Sequence, residues 1–175
     1  ALEVHVDSKK VTKGIISDGS GKILLLKRTD GEKKWDLPGG RLGDGEEIEF
    51  GLTREAEEEL GLEIVVGPLI QCSLRRVADS KSNVIVVAYL CTLSGAFSDI
   101  VLSTEHTDVR LFSRHEIDNL DMRESYRKSV HMVFSKPLNG LDAQHTPSDT
   151  ASARTVRSFF QKLKSRWVSS WRRST

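Results

Sequence analysis

The stretch from Gly40 to Leu62, GRLGDGEEIEFGLTREAEEELGL, constrains this chain more than any other. Ile48, Leu52, Ala56 and Leu60 recur every four residues, the spacing of an apolar stripe on a helix. At about 100° per residue, Glu55, Glu58 and Glu59 fall within an arc of roughly 100° beside that stripe. One face can be buried while the adjacent one holds carboxylates together. Like charges at this spacing repel by roughly a few tenths of a kcal/mol per pair, a cost that a bound cation removes. Hard divalent cations take oxygen ligands, and Mg2+ combines a small number of carboxylates with phosphates and water. Gly61 suits the left-handed residue that ends a helix. Ahead of the helix, Leu37-Pro38-Gly39-Gly40 and Gly43-Asp44-Gly45 form a loop whose backbone can approach a ligand. The plain alternative is a solvated acidic helix, which composition alone would favour.

The fixed points decide between them. Gly40 and Glu46 are followed by Arg54-Glu55-Ala56, Glu58-Glu59, Gly61 and Leu62. This pattern resembles the signature box of the Nudix hydrolases: Gly, five spacers, Glu, seven spacers, then Arg-Glu-apolar-x-Glu-Glu-x-Gly-apolar. Seven fixed polar or glycine positions match by chance on the order of 1 in 10⁸ to 10⁹ starts, far rarer than a glycine pattern alone. The resemblance covers roughly residues 10–134 and implies an alpha/beta/alpha sandwich of α+β class with a mixed sheet.

The resemblance also implies a chemistry. Family members hydrolyse a nucleoside diphosphate linked to another group, with Mg2+ or Mn2+ bound. By position in the box, Glu55 and Glu59 are the expected metal ligands, with Glu58 next and the Gly40 carbonyl as backbone ligand. Glu46 and Arg54 are expected to pair and support the loop and helix. The general base is a box glutamate or an acid from a later loop, for which Glu105 stands in a suitable place before a strand. His106 beside it could titrate near neutral pH. Arg28, Arg41, Arg75 and Arg76 are candidates to grip substrate phosphates. Trp35 is a packing residue or a wall of the substrate pocket, with packing preferred. The downstream proline that marks ADP-ribose hydrolases would fall at Arg76, and the tyrosine that marks dinucleoside polyphosphate hydrolases near Val77 or Ala78; neither is present. The expected activity is a metal-dependent pyrophosphohydrolase of a nucleoside triphosphate or a nucleoside diphosphate derivative. A non-catalytic nucleotide sensor and an RNA 5′-end pyrophosphohydrolase are the alternatives.

Around the box the chain reads as mixed strands and helices. Val4-His5-Val6, Val11–Ile16 and Lys22–Arg28 are strand-like, and Asp18-Gly19-Ser20-Gly21 predicts a hairpin between the last two. Glu63–Val77 predicts a strand broken or bulged at Gly67-Pro68. Asn83–Leu93, NVIVVAYLCTL, predicts a central strand, with a turn at Asp79–Ser82 before it. Asp108–Ser113 predicts a short strand, Arg114–Leu120 a short helix and Arg123–Phe134 a longer one. Cys72 and Cys91 lie in apolar runs and read as small core residues rather than a disulfide.

Composition divides the chain. Seven of the 26 basic residues and none of the 25 acids lie in 152–175, so the preceding body carries an excess of about six acids. The expected organisation is a domain over 1–140, a polar linker over 141–151 and a basic amphipathic helix over 152–175. Val156, Phe159, Phe160, Leu163, Trp167 and Trp171 fall within an arc of about 120° on that helix. Such a stripe docks on the body or on a second copy in a homodimer, or it lies on an anionic membrane surface. Docking is the preferred reading, because so large an apolar stripe is rarely left in water. The acidic body argues against a broad nucleic-acid surface, so the expected partner is a small nucleotide. No run suits a membrane-spanning helix or a signal peptide, which leads to the expectation of a cytoplasmic protein.

Overall fold

The computed structural model describes residues 8–76 and 83–135. The strand-like piece at Val4–Val6, the turn at 79–82, the linker and the basic segment 152–175 lie outside the described residues. Six strands and three α-helices are described: β1 (Ser8–Ile16), β2 (Ile23–Arg28), β3 (Trp35–Asp36), α1 (Ile48–Leu60), β4 (Ile64–Arg76), β5 (Asn83–Leu93), β6 (His106–Phe112), α2 (Arg114–Asp118) and α3 (Glu124–Phe134).

The strands form two three-stranded sheets, ordered β1-β5-β4 and β3-β2-β6. The first is mixed. β1 runs parallel to β5, with Thr12 opposite Val87, and β4 runs antiparallel to β5, with Cys72 opposite the same Val87. β5 is central, and its burial on both faces explains its unbroken apolar run. The β4 register shifts between Val66 and Leu69, where Gly67-Pro68 interrupts the ladder as a bulge. The second sheet is antiparallel.

Alternation along the strands assigns the helices to opposite faces of the mixed sheet. Gly14 and Cys91 share one face, and a β-carbon at Gly14 would touch Leu52 of α1. Lys13 and Gln71 point the other way: the Lys13 ammonium is 5.4 Å from the Tyr126 ring centre, and Ser129 of α3 donates to Gln71 Oε1 at 2.5 Å. The helix–sheet–helix layering is the expected sandwich. Leu52, Ala56 and Leu60 of α1 are fully buried with Ile16, Leu24, Leu26, Ile64 and Cys91, so the box helix joins both sheets in one core. Ile48, the first residue of the predicted stripe, is exposed.

Two expectations need correction. The turn at Asp18–Gly21 is present, with Asp18 N–H donating to the Lys22 carbonyl at 3.1 Å, but it does not close a two-strand sheet. Beyond a single bridge from Ser17 to Ile23, β1 and β2 diverge into different sheets. The long β1–β5 ladder takes β1 instead. Cys72 is exposed rather than a core residue; Cys91 is buried, and both are free thiols. No described helix is long and apolar enough to cross a membrane.

Candidate active site

The glycine loop is laid along the free edge of β1. Gly14 N–H donates to the Pro38 carbonyl at 2.8 Å, Thr12 N–H to Gly40 O at 2.9 Å, and Leu42 N–H to Lys10 O at 2.9 Å. The loop thus behaves as a short extra strand, which fixes where its backbone faces. Gly39 sits at φ +116°, and a β-carbon there would collide with the Thr12 carbonyl; at Gly40 it would collide with the Glu55 carboxylate. Only glycines allow the loop and α1 to come this close.

Two box carboxylates meet that loop. Glu55 lies against Gly40, as the collision shows. Glu59, one helical turn on, is only 8% exposed and accepts the Gly39 N–H at 2.7 Å. Burial pushes the Glu59 carboxyl up to about 7, although Lys13 and the Gly39 N–H favour its charge. Gly61 ends α1 at φ 67°, with its N–H on the Glu57 carbonyl.

Arg54 braces the carboxylates on its side of the helix. Its Nε and Nη2 donate to the two oxygens of Glu46, at 2.8 and 3.0 Å. Its Nη1 donates to Glu55 at 2.9 Å and to Glu58 at 3.3 Å. Glu46 in turn accepts the Gly43 N–H at 2.8 Å, tying the helix to the loop. The hydrogen bond from Arg54 holds the Glu46 carboxyl below its ordinary range, and chiefly Glu46 raises Arg54 above its own. Glu58 reaches solvent, with a side chain 61% exposed.

The remaining candidates separate. Arg28 stands at the β2 bulge, pairs with Asp30 at 2.6 Å and lies 3.6 Å from Asp36. Arg41 is exposed, and its carbonyl accepts from Arg54 at 3.4 Å. Arg75 and Arg76 close β4 opposite Val84 and Asn83, with β5 and β1 lying between them and the glycine loop. Trp35 is buried edge-on against Phe112, 4.6 Å between ring centres, with Lys27 and Arg110 over its ring. Glu105 is exposed at the start of β6, where its carbonyl accepts from Thr29. His106 follows it as the first residue of β6. It is buried, its Nε2 is 3.7 Å from Glu59, and burial, then Arg28 and Lys13, pull its pKa below the ordinary value. That direction favours the neutral ring beside Glu59.

Sequence reasoning missed Lys13 and Asp36, a buried pair at 3.2 Å beside the glycine loop. The available signal was a lone lysine inside the apolar run Val11–Ile16, which a buried strand tolerates only with a partner.

The donors bear on a metal ion. No three His, Cys, Asp or Glu side chains among the described residues converge as a ready-made ligand set. This does not fit a closed zinc-type site. It does fit a hard cation that completes its shell with phosphate oxygens and water. Glu55 and Glu59 supply oxygens, and the Gly40 carbonyl has a second lone pair beyond its bond from Thr12. The Arg54 guanidinium already lies among Glu46, Glu55 and Glu58, so positive charge is accommodated there.

Comparisons with known proteins agree with the geometry. The NUDIX domain family matches residues 9–133. The nucleoside triphosphatase NudI of Enterobacter sp. (strain 638) is 31% identical over 123 residues, 64% of this chain and 87% of that protein. The RNA pyrophosphohydrolase of Teredinibacter turnerae is 42% identical over 48 residues, which is 27% of this chain and only 28% of that protein. The solution structure of the E. coli ORF135 protein superposes with a TM-score of 0.66 at 23% identity, over 85% of this chain and 100% of the other.

Proposed function

This chain belongs to the Nudix hydrolase family, and on that premise we propose that it is a metal-dependent pyrophosphohydrolase of nucleotides. The substrate is a nucleoside triphosphate or a nucleoside diphosphate linked to another group. The observation that carries this reading is the apposition of Glu55 and Glu59 to the backbone of Gly40 and Gly39. It is supported by a triphosphatase relative matched over most of its length.

Gly40 O, Glu55, Glu59 and, from its exposed position, Glu58 would hold Mg2+ or Mn2+. When bound, such an ion neutralises charge on phosphoryl oxygens and makes water more acidic. The protein's own part is mainly positioning and charge, as phosphoryl transfer requires. Arg54 and Glu46 hold the helix and loop in register. Arg28 and Arg41 would meet phosphate oxygens of the substrate. Water attacks a phosphorus of the anhydride, its oxygen forms the new bond to that phosphorus, and the bridging bond to the neighbouring phosphate breaks. Its proton passes to a carboxylate that solvent can reach, Glu58 or Glu105. A triphosphate yields nucleoside monophosphate and pyrophosphate.

The intact carboxylates weigh against a sensor without activity. The RNA reading draws on a short match and meets an acidic body, so the small nucleotide is favoured. Incubation of the chain with a panel of nucleoside triphosphates and diphosphate derivatives, with Mg2+ or with EDTA, tests the proposal. Metal-dependent release of a nucleoside monophosphate is expected. No hydrolysis across the panel, or hydrolysis undiminished by EDTA, would refute it.

A further inference from the structure

Lys13 is 3% exposed, on a strand whose neighbours Thr12 and Ile15 are fully buried. An ammonium costs several kcal/mol to bury, by order of magnitude, unless its donors are all met. Here they are. Nζ donates to the Leu37 carbonyl at 2.9 Å and to the Gly39 carbonyl at 2.5 Å, and it pairs with Asp36 Oδ1 at 3.2 Å. Tyr126 lies beneath it. Burial works against its charge, but Asp36, with Tyr126 and Glu59, holds its pKa above the ordinary lysine value.

Three donors on three acceptors leave none for a substrate, so Lys13 is not a phosphate ligand. What it grips is informative. Leu37 and Gly39 are the first turns of the glycine loop. Gly39 O faces Lys13 on one side of the peptide chain, while Gly39 N–H faces Glu59 on the other. The next carbonyl, Gly40 O, is turned to the Thr12 N–H. Asp36 also accepts the Leu37 N–H at 2.7 Å, so the pair holds the loop from both of its polar groups.

We propose that Lys13, paired with Asp36, is a positioning residue that orients the Gly39–Gly40 backbone toward Glu59 and Glu55 and thereby sets the affinity of the cation site. The inference rests on the metal-dependent reading of that site. A β1 residue on the α3 face thus governs a site formed by α1 on the other face.

The test uses the full chain. Lys13→Met leaves buried Asp36 with only Arg28, 3.6 Å away, and can lose the fold; Lys13→Met/Asp36→Asn removes both charges of the pair and keeps an acceptor for Leu37 N–H. Two quantities are read: Mn2+ affinity by electron paramagnetic resonance without nucleotide, and exchange of the Gly39 amide hydrogen by NMR. Loss of such an outer partner lowers metal affinity about 10- to 100-fold. The double variant is expected to weaken Mn2+ binding by at least about 10-fold and to speed Gly39 exchange by a similar factor. Val130→Ala, a cavity in α3, serves as the control for simple destabilisation and is expected to leave both unchanged. A double variant with wild-type Mn2+ affinity and Gly39 protection overturns the role of Lys13. The same holds if Val130→Ala weakens Mn2+ equally. If the wild-type chain itself binds no Mn2+, the metal reading fails, and the Gly39 exchange still decides whether Lys13 orients the loop.

Discussion

The Gly39 amide donates to the Glu59 carboxylate at 2.7 Å across twenty residues of sequence. That single bond joins the glycine loop to the last turn of the box helix. It also marks the place where stability and activity oppose one another. A carboxylate buried against a backbone amide is poised to accept a cation, and it is costly to leave charged without one.

Glu59→Gln should lower turnover at least about 100-fold at saturating Mg2+, because it removes a charged oxygen ligand. The fold should persist, since a glutamine oxygen can still accept the Gly39 N–H. Steady-state kinetics with a circular dichroism control checks this. Near-normal kcat would contradict the assignment.

The same carboxyl makes a prediction about pH. Its folded pKa of about 7 lies above the ordinary 4.5. Between those values the folded chain retains a proton that the unfolded chain has lost, so this group's contribution is full below about pH 4.5 and is lost as pH rises through about 7. At 1.36 kcal/mol per unit the loss is at most about 3 kcal/mol. Metal-free wild type should therefore become less stable relative to Glu59→Gln between pH 5 and 8, and Mg2+ should reduce the difference. Thermal melts of both proteins in EDTA and in Mg2+ read it directly. A gap that is constant with pH would show that burial does not govern this group.

Arg54 and Glu46 should behave as supports. Glu46→Gln loses a charge-assisted bidentate pair and should cost about 1–3 kcal/mol of stability. Its kcat at saturating metal should fall less than about 10-fold, while Glu58→Gln and Glu105→Gln are compared for the larger loss that identifies the base. A loss for Glu46→Gln as large as for Glu59→Gln would move Glu46 into the chemistry.

Gly39→Ala meets two obstacles, a positive φ and the Thr12 carbonyl. It should destabilise the chain by about 1–3 kcal/mol or more and abolish the alignment of Glu59. Denaturant unfolding together with Mn2+ titration tests both effects; wild-type values in either would contradict the close approach.

The basic segment 152–175 lies outside the described residues, so its prediction rests on sequence alone. On the preferred reading its aromatic stripe is covered by protein, and flotation with anionic and neutral liposomes should recover no lipid-dependent fraction. Salt-sensitive flotation, lost on deletion of 152–175, would favour the membrane surface instead.

Much of this was legible because it is local. The spacing of Glu55, Glu58 and Glu59 is a property of one helix, and β5 announced itself by a run apolar on both faces. The β1–β2 relation was not local. Its turn residues read correctly, but the choice of partner was decided by the parallel ladder to β5, more than seventy residues away. Cys72 was misjudged for a similar reason: neighbours in sequence do not tell which residues of a strand face a covered side. Lys13 and Asp36 form their pair only when the loop folds back on β1, a contact no spacing rule contains.

The central claim is hydrolysis of a phosphoric anhydride by attack at phosphorus. Its most direct measurement is turnover of a nucleoside triphosphate with Mg2+ in ¹⁸O-labelled water, followed by mass analysis of both products. The account predicts one ¹⁸O atom per turnover, carried by a phosphate group of one of the two products. Label appearing only on the nucleoside carbon side, with an unlabelled phosphate product, would contradict it.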